Sequence, residues 1–449
     1  MNTTTSVRMG AAAILVLGIA IGYVVSQTGI DVTETASAQT PAANEEGGAE
    51  YTTKDDPSLT PWNDPDDPYV FRLNKKDPSI FKWNQRNDKL DPNRKAGPMD
   101  LNRYKSGYAA DAFPTFLQMP VALRPEDLKA GDIDVAIVGS CTDMNPVPGA
   151  MWAANMLRGF LPSSATYYQA KGDGKQTRER DVFPIDQYVR SSLHEINIAD
   201  YGNIKRHGMS GEKSTEEVRA VLNEIYEGGA IPMVVGGSHD NMYGEFLAVA
   251  DKYGKGNFGV LHLDSHIDAA PFGYGYYVHN GNGIYMGVEM GLFKGTDLVQ
   301  VGITSIMNDE ILAWLNKNGV RVHYQAEIEK DGWLAVMKRM LEEVKDIENL
   351  VVTIDIDVMN QIYVPGTGGR QPDGPSSEEM MRLMRALGIQ NNVVLVEISE
   401  YNPMIDSSSN QTALVVRNLM EHYLYGLAAR MRGIKDPLYY HPDMIYDGR

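Results

Sequence analysis

The stretch "FGVLHLDSHIDAA" (residues 258–270) changes character halfway: an apolar run ends at Leu263, and Asp264, His266 and Asp268 then follow at every second position. In an extended strand, residues i, i+2 and i+4 face the same side, so the spacing predicts that these three side chains converge on one point. Two carboxylates and an imidazole at one point call for a cation. A polar strand end with solvated acids has the same pattern, so the rest of the chain has to decide.

Other short, β-branched runs repeat the arrangement: "DVAIVG" (134–139), "IPMVVGG" (231–237), "LVQVGI" (298–303), "VRVHY" (320–324), "LVVTIDID" (350–357) and "NVVLVEIS" (392–399). Amphipathic segments such as "STEEVRAVLNEIYEGG" and "GWLAVMKRMLEEVKD" lie between them. Strand alternating with helix predicts a parallel sheet covered on both faces. In such sheets ligands bind beyond the carboxyl ends of the strands. Four runs deliver acids and imidazoles there: His239 after "VVGGS", Asp264 to Asp268 after "FGVLHL", Asp355 and Asp357 at the end of "LVVTI", and Glu400 after "VLVEIS".

Asp355 and Asp357 repeat the i, i+2 spacing at the end of a run that should be central and buried. Carboxylates there are costly unless they are paired or bound to metal. Six ligands, four of them carboxylates, are too many for one tetrahedral zinc. Carboxylates shared between two hard or borderline divalent ions suit a two-metal site, with manganese the first choice on ligand type.

Composition narrows the function class. The chain of 449 residues is 43% hydrophobic, enough for one large α/β domain with extensions. Its 41 basic and 59 acidic residues give a formal charge of -18, which argues against a nucleic-acid surface and favours small cations as partners. Near the N-terminus, "GAAAILVLGIAIGYVV" (Gly10 to Val25) is uncharged and has the length of a signal-peptide core or a short membrane anchor. Ala36, Ser37 and Ala38 offer a small-residue cleavage site. Residues 1–38 are therefore read as a signal peptide or membrane anchor, with the protein exported to the bacterial periplasm or anchored facing it. Residues 39–112, rich in Asp and Pro, read as an irregular extension, and 113–449 as the catalytic domain. The single cysteine, Cys141, cannot form an internal disulfide.

The set "GGSHD" (236–240), "LDSHID" (263–268), "TIDID" (353–357), "VPGTGG" (364–369) and "EYNPMID" (400–406), with "DYGNI" (200–204) before it, resembles the ureohydrolase family of agmatinases, arginases and relatives. The resemblance runs from about residue 113 to 430 and is closest in motif to agmatinase. It implies a three-layer αβα sandwich around a mainly parallel sheet, and hydrolysis of a guanidino or amidino group. It implies two Mn2+ per chain, with Ni2+ as the other choice. One ion would be held by His239, Asp264, Asp268 and Asp355, the other by Asp264, His266, Asp355 and Asp357. A bridging hydroxide would attack the guanidinium carbon, and the tetrahedral intermediate would collapse to urea and an amine.

By the same resemblance Glu400 pairs with the substrate guanidinium; Asn402, Pro403 and Asp406 set the register on it rather than on Glu397, where the family usually has Asp. His279, in "YYVHNGNG", would pass a proton to the departing amine, and Asp268 is counted with His279 and Glu400 as catalytic. A homotrimer or homohexamer is implied. The chain departs from the family at Ser238 and Asp240, where G-G-D-H-S has become G-G-S-H-D, and at Val278 and Asn280 beside His279. Ala270 stands where arginases place an Asn that anchors the amino-acid end of arginine, which argues against arginase. An aromatic "PFGYGYY" segment on an acidic protein fits agmatine, cleaved to putrescine and urea. Guanidinobutyrate, guanidine and formimino compounds remain as alternatives. A non-catalytic amine-binding protein and a single-zinc deacetylase are the readings from other classes; the retention of both Asp268 and Asp357 speaks against the second.

Overall fold

A strand covered on both faces needs apolar side chains pointing both ways, and the runs read from the sequence supply them. The computed structural model describes residues 94–101, 113–160, 188–189, 193–208, 210–271, 276–305, 307–390 and 392–445. The apolar run 10–25, the triplet 36–38 and all of the extension but 94–101 lie outside the described residues, as do Phe272 to Gly275 of the aromatic segment.

Among the described residues, eight strands form one sheet: β1 (Val135–Gly139), β2 (Ile198–Asn203), β3 (Ile231–Val235), β4 (Gly259–Leu263), β5 (Leu298–Ile303), β6 (Arg321–Tyr324), β7 (Leu350–Asp355) and β8 (Val393–Ser399). Every pairing is parallel, and the order across the sheet is β2-β1-β3-β8-β7-β4-β5-β6. Seven of the strands are the seven runs; β2 is the addition. Its apolar pattern is broken by Asp200, which is buried because the Arg158 guanidinium grips both its oxygens at 2.7 and 2.8 Å.

Successive residues face opposite layers. Val135, Ile137, Leu261, Leu263, Val352 and Ile354 pack into a core with the helices Trp333–Val344, Ser377–Gln390 and Gln411–Met431. Ala136, Val138, Val260 and Val351 face a second core built with the helices Gly211–Gly228 and Asn241–Tyr253. Each such fully buried Val, Leu or Ile contributes roughly 1.5–3 kcal/mol. The result is the expected αβα sandwich. The helix Gly211–Gly228 starts where the Ser210 side chain accepts the Lys213 N–H, and it stops at Gly229 in the left-handed conformation.

The strand order positions the site. β3, β8, β7 and β4 are neighbours in space although their numbers jump, so their carboxyl ends lie side by side. All the candidate ligands follow these four strands.

Candidate metal centre

The convergence predicted for Asp264, His266 and Asp268 is met only in part: Asp264 is shared, but His266 joins one group of acids and imidazoles and Asp268 another, and the backbone that brings them there differs from the expectation. β4 ends at Leu263, and the three residues lie on the loop beyond it. Asp264 Oδ1 accepts the His266 N–H at 2.6 Å, and Asp355 Oδ1 accepts the Asp357 N–H at 2.9 Å. Both i, i+2 spacings are therefore turns in which an aspartate caps the backbone two residues on. Within a strand those amides would be committed to neighbouring strands; past its end the carboxylate satisfies them and the chain folds over the sheet edge. Asp268 (φ +44°) and Glu400 (φ +64°) both sit in left-handed backbone, a strained state that concentrates at functional sites.

Two overlapping groups result. Asp264, His266, Asp355 and Asp357 form one, and His239, His262, Asp264 and Asp268 the other; within each, one ligand atom per residue lies within 4.8 Å of the rest. His266 Nδ1 is 2.9 Å from Asp357 Oδ2 and 3.4 Å from Asp264 Oδ1. His239 Nδ1 is 3.1 Å from both Asp264 Oδ2 and Asp268 Oδ2, and 3.8 Å from Asp355 Oδ2. The first group is the expected second ligand set. The other contains His262 where Asp355 was expected.

His262 is a residue that the sequence reading passed over, although it is one step back on the same alternation. The Gln300 side-chain nitrogen donates to the Ile267 carbonyl (2.8 Å) and lies 3.0 Å from His262 Nδ1, so both its hydrogens are used and Nδ1 accepts. The ring proton is then on Nε2, which faces Asp264 Oδ2 at 3.1 Å, off the line of a formed hydrogen bond. This tautomer makes His262 a support for Asp264 rather than a ligand.

A similar argument orients His239. The Thr353 hydroxyl donates to Glu397 Oε2 at 2.5 Å, so it accepts from His239 Nε2 at 2.7 Å, and the Nδ1 lone pair is left facing the carboxylates. His262, Thr353 and Glu397 are in register across β4, β7 and β8, a polar row just beneath the ligands. Glu245, from the helix Asn241–Tyr253, is fully buried over this layer with both oxygens lacking a hydrogen-bond partner. Burial and then Glu397 push its carboxyl well above the usual range.

The electrostatics ask for positive charge. Burial, then Asp357 and Asp264, push Asp355 well above the carboxylate range; burial, then Asp264, push Asp357 up to about 6. Burial opposes charge on His266, yet hydrogen bonds to Asp264 and Asp357 push its imidazole up to about 12. Asp264 is held well below its usual value: burial works the other way, but the imidazoles of His239, His262 and His266 around it prevail. Oxygen and imidazole donors in two clusters that share Asp264 fit two hard or borderline divalent ions.

Glu400 lies beside this cluster. Its Oε1 accepts the His239 backbone N–H at 2.9 Å, and its Oε2 accepts the Asn145 side-chain amide. Burial pushes it up to about 8. Glu397 is the residue beneath, bonded to Thr353 and Asn241, and Glu400 is the glutamate that stands at the sheet edge. His279 is buried near Asp268: a Cβ on Gly281 would lie 3.4 Å from the His279 ring and 3.8 Å from Asp268 Oδ1. His279 Nδ1 accepts the Gly281 N–H at 3.0 Å, which puts the proton of the neutral ring on Nε2, an atom without a partner. Burial lowers its pKa, against Asp268, which raises it. At the altered G-G-S-H-D motif the Ser238 hydroxyl touches Asp240 Oδ1 and also accepts the Met144 N–H at 2.9 Å. The carboxylate has moved two positions along the chain but stays beside Ser238.

Comparison with known proteins places this geometry. The sequence model of the Arginase family matches residues 134–426, more than half the chain. The human mitochondrial guanidino acid hydrolase is 26% identical over 318 residues, covering 70% of this chain and 82% of that protein. Mitochondrial agmatinase of Gallus gallus is 25% identical over 310 residues, covering 68% and 83%. The crystal structure of a hypothetical agmatinase from Burkholderia thailandensis superposes with a TM-score of 0.61 at 22% identity, covering 76% of this chain and 99% of that one; it bears on the fold alone.

Proposed function

Because the chain belongs to the arginase family, whose members hydrolyse guanidino or amidino C–N bonds, we propose that it converts agmatine to putrescine and urea. The observation that carries this reading is the pair of ligand groups sharing Asp264, with the buried Glu400 carboxylate beside them. His239, Asp264, His266, Asp268, Asp355 and Asp357 hold two divalent ions, manganese first, with nickel as the alternative. When bound, such ions supply hydroxide from water at neutral pH.

The chain's own residues do the rest. Glu400 accepts the planar guanidinium fork through its two oxygens, turning the central carbon toward the ligand cluster. The C–N bond to the alkyl chain breaks, the water oxygen ends on the carbon as urea, and the amine leaves with a proton. The proton it takes is the one the attacking water gives up as its oxygen becomes the urea carbonyl, and His279, whose Nε2 has no other partner, relays it, taking up a proton before giving one on.

A second reading, a guanidino acid as substrate, has one observation in its favour. Arg370 is exposed, adjoins Gly369 against Asp357 and His266, and among the described residues makes a 3.5 Å contact to the Ile405 carbonyl. A carboxylate tail would meet it there, whereas the acidic protein as a whole suits the doubly cationic agmatine.

The test is urea release by manganese-loaded protein lacking residues 1–38, with agmatine, guanidinobutyrate, arginine and guanidine side by side, and with Asp355→Asn as control. Agmatine should be the best substrate, and the variant should lose at least 1,000-fold in kcat/KM, as expected when a metal ligand is removed. No urea from any substrate with two metals bound would sink the reading. Export to the periplasm and a trimeric or hexameric state belong to the same proposal. The first is supported by the run Gly10 to Val25 and checked by N-terminal sequencing of protein from a periplasmic extract; the second is checked by light scattering.

A further inference from the structure

We propose that Asn145, on the loop after β1, is the positioning residue that sets Glu400 as a two-point acceptor for the substrate guanidinium, an inference that rests on the guanidino-hydrolase reading. Asn145 Oδ1 accepts the Val147 N–H at 2.9 Å, which fixes the amide with its nitrogen toward Glu400 Oε2. The other oxygen, Oε1, is held by the His239 N–H at 2.9 Å. A carboxylate offers about four lone-pair positions, two per oxygen. One on each oxygen is taken by these donors, which come from two different loops, so one on each remains and the plane of the group cannot rotate. A guanidinium fork needs an acceptor position on each oxygen of one plane, and two donors placed one to an oxygen leave such a position on both.

The loop is itself anchored, so Asn145 is rigid before substrate arrives. The Gly149 N–H donates to Asp143 Oδ2 at 2.8 Å, and Asn402 Nδ2 donates to the Pro148 carbonyl at 3.1 Å. Asn402 lies two residues beyond Glu400, so the loop and the glutamate are tied together at both ends. The left-handed backbone at Glu400 would otherwise favour relaxation of this turn.

The experiment compares wild type with Asn145→Ala and Asn145→Ser, all as metal-loaded protein. The serine keeps a short acceptor for the Val147 N–H but cannot reach Glu400. Hydrogen bonds to charged groups contribute about 1.5–3 kcal/mol, so both variants should raise KM for the guanidino substrate about 10- to 100-fold. Ki for guanidinium ion as an inhibitor should rise by the same factor, while kcat changes less than about threefold and two metals stay bound. Should the alanine variant fail to fold, the serine variant carries the test. KM and Ki within twofold of wild type in a folded, metal-loaded variant would overturn the inference while leaving the hydrolase reading intact. If wild type releases no urea, the hydrolase reading fails instead. Guanidinium affinity by calorimetry then decides on Asn145 separately, and equal affinity in wild type and variant overturns it.

Discussion

At the scale of single residues, the site is built from close approaches that leave no slack. A Cβ added at Gly369 would fall 2.1 Å from Asp357 Oδ2 and 2.9 Å from His266 Cε1, so Gly369→Ala has to push these two side chains aside. The expected result is a protein with one metal equivalent lost or bound at least tenfold more weakly, near-normal thermal stability once the remaining ion is bound, and a fall in kcat. Elemental analysis after gel filtration checks it; full retention of two metals would mean that the loop yields instead. The candidate ligands were legible because D-x-H-x-D and D-x-D pair residue type with spacing. Asn145 was not, since a lone amide in "TDMNPVPG" has no spacing to stand out by, and its partner is 255 positions away. His262 was hidden in plain view: inside "GVLHL" an imidazole reads as one more strand residue, and only Gln300 on the neighbouring strand reveals its tautomer.

At the scale of elements, the runs of the sheet could be read because β-branched residues facing two cores leave a periodicity of their own, whereas β2 could not. Asp200 inside it is tolerated because Arg158, from a helix some forty residues earlier, and the Phe116 and Gly202 N–H groups all donate to its carboxylate. The strand order was equally hidden, since each connection specifies a parallel neighbour on one side of the sheet but not how many strands it passes over. The helices Ser377–Gln390 and Gln411–Met431 show a further case. They meet so closely that a Cβ on Gly426 would lie 2.2 Å from the Arg385 carbonyl oxygen, and between them Arg385 donates to His422 Nδ1 at 2.9 Å. Burial, then Arg385, push His422 down to about 3. An unfolded chain takes up this proton near pH 6.5. Between about pH 6.5 and 3 the unfolded state therefore binds one more proton than the folded state, and stability falls as pH falls, by about 1.4 kcal/mol per unit. His422→Gln keeps a neutral acceptor for Arg385 without the titration. Its melting temperature should drop less than that of wild type between pH 7 and 4, and parallel curves would show that His422 does not contribute.

At the scale of the whole molecule, the metal cluster ties stability to pH in a way that depends on occupancy. In the metal-free protein Asp357 lies at about 6, Glu400 at about 8 and His266 at about 12, against unfolded values near 4 for carboxyls and 6.5 for imidazole. For each, the folded state keeps a proton that the unfolded chain has already released, so its stabilising share is complete below the unfolded value and is lost as pH rises through the folded one. Asp264 has the opposite sign, but its share is complete above about pH 4 and is constant in the range of interest. Below pH 6.5 His422 works the other way, so metal-free protein should melt at progressively lower temperature from pH 6.5 to pH 9. With manganese bound the ions compete with these same protons, so occupancy and the stability it confers grow over that interval. Scanning calorimetry of chelator-treated and manganese-loaded samples across the range should give curves that diverge as pH rises. A metal-free curve that climbs with pH would mean that the cluster does not retain protons.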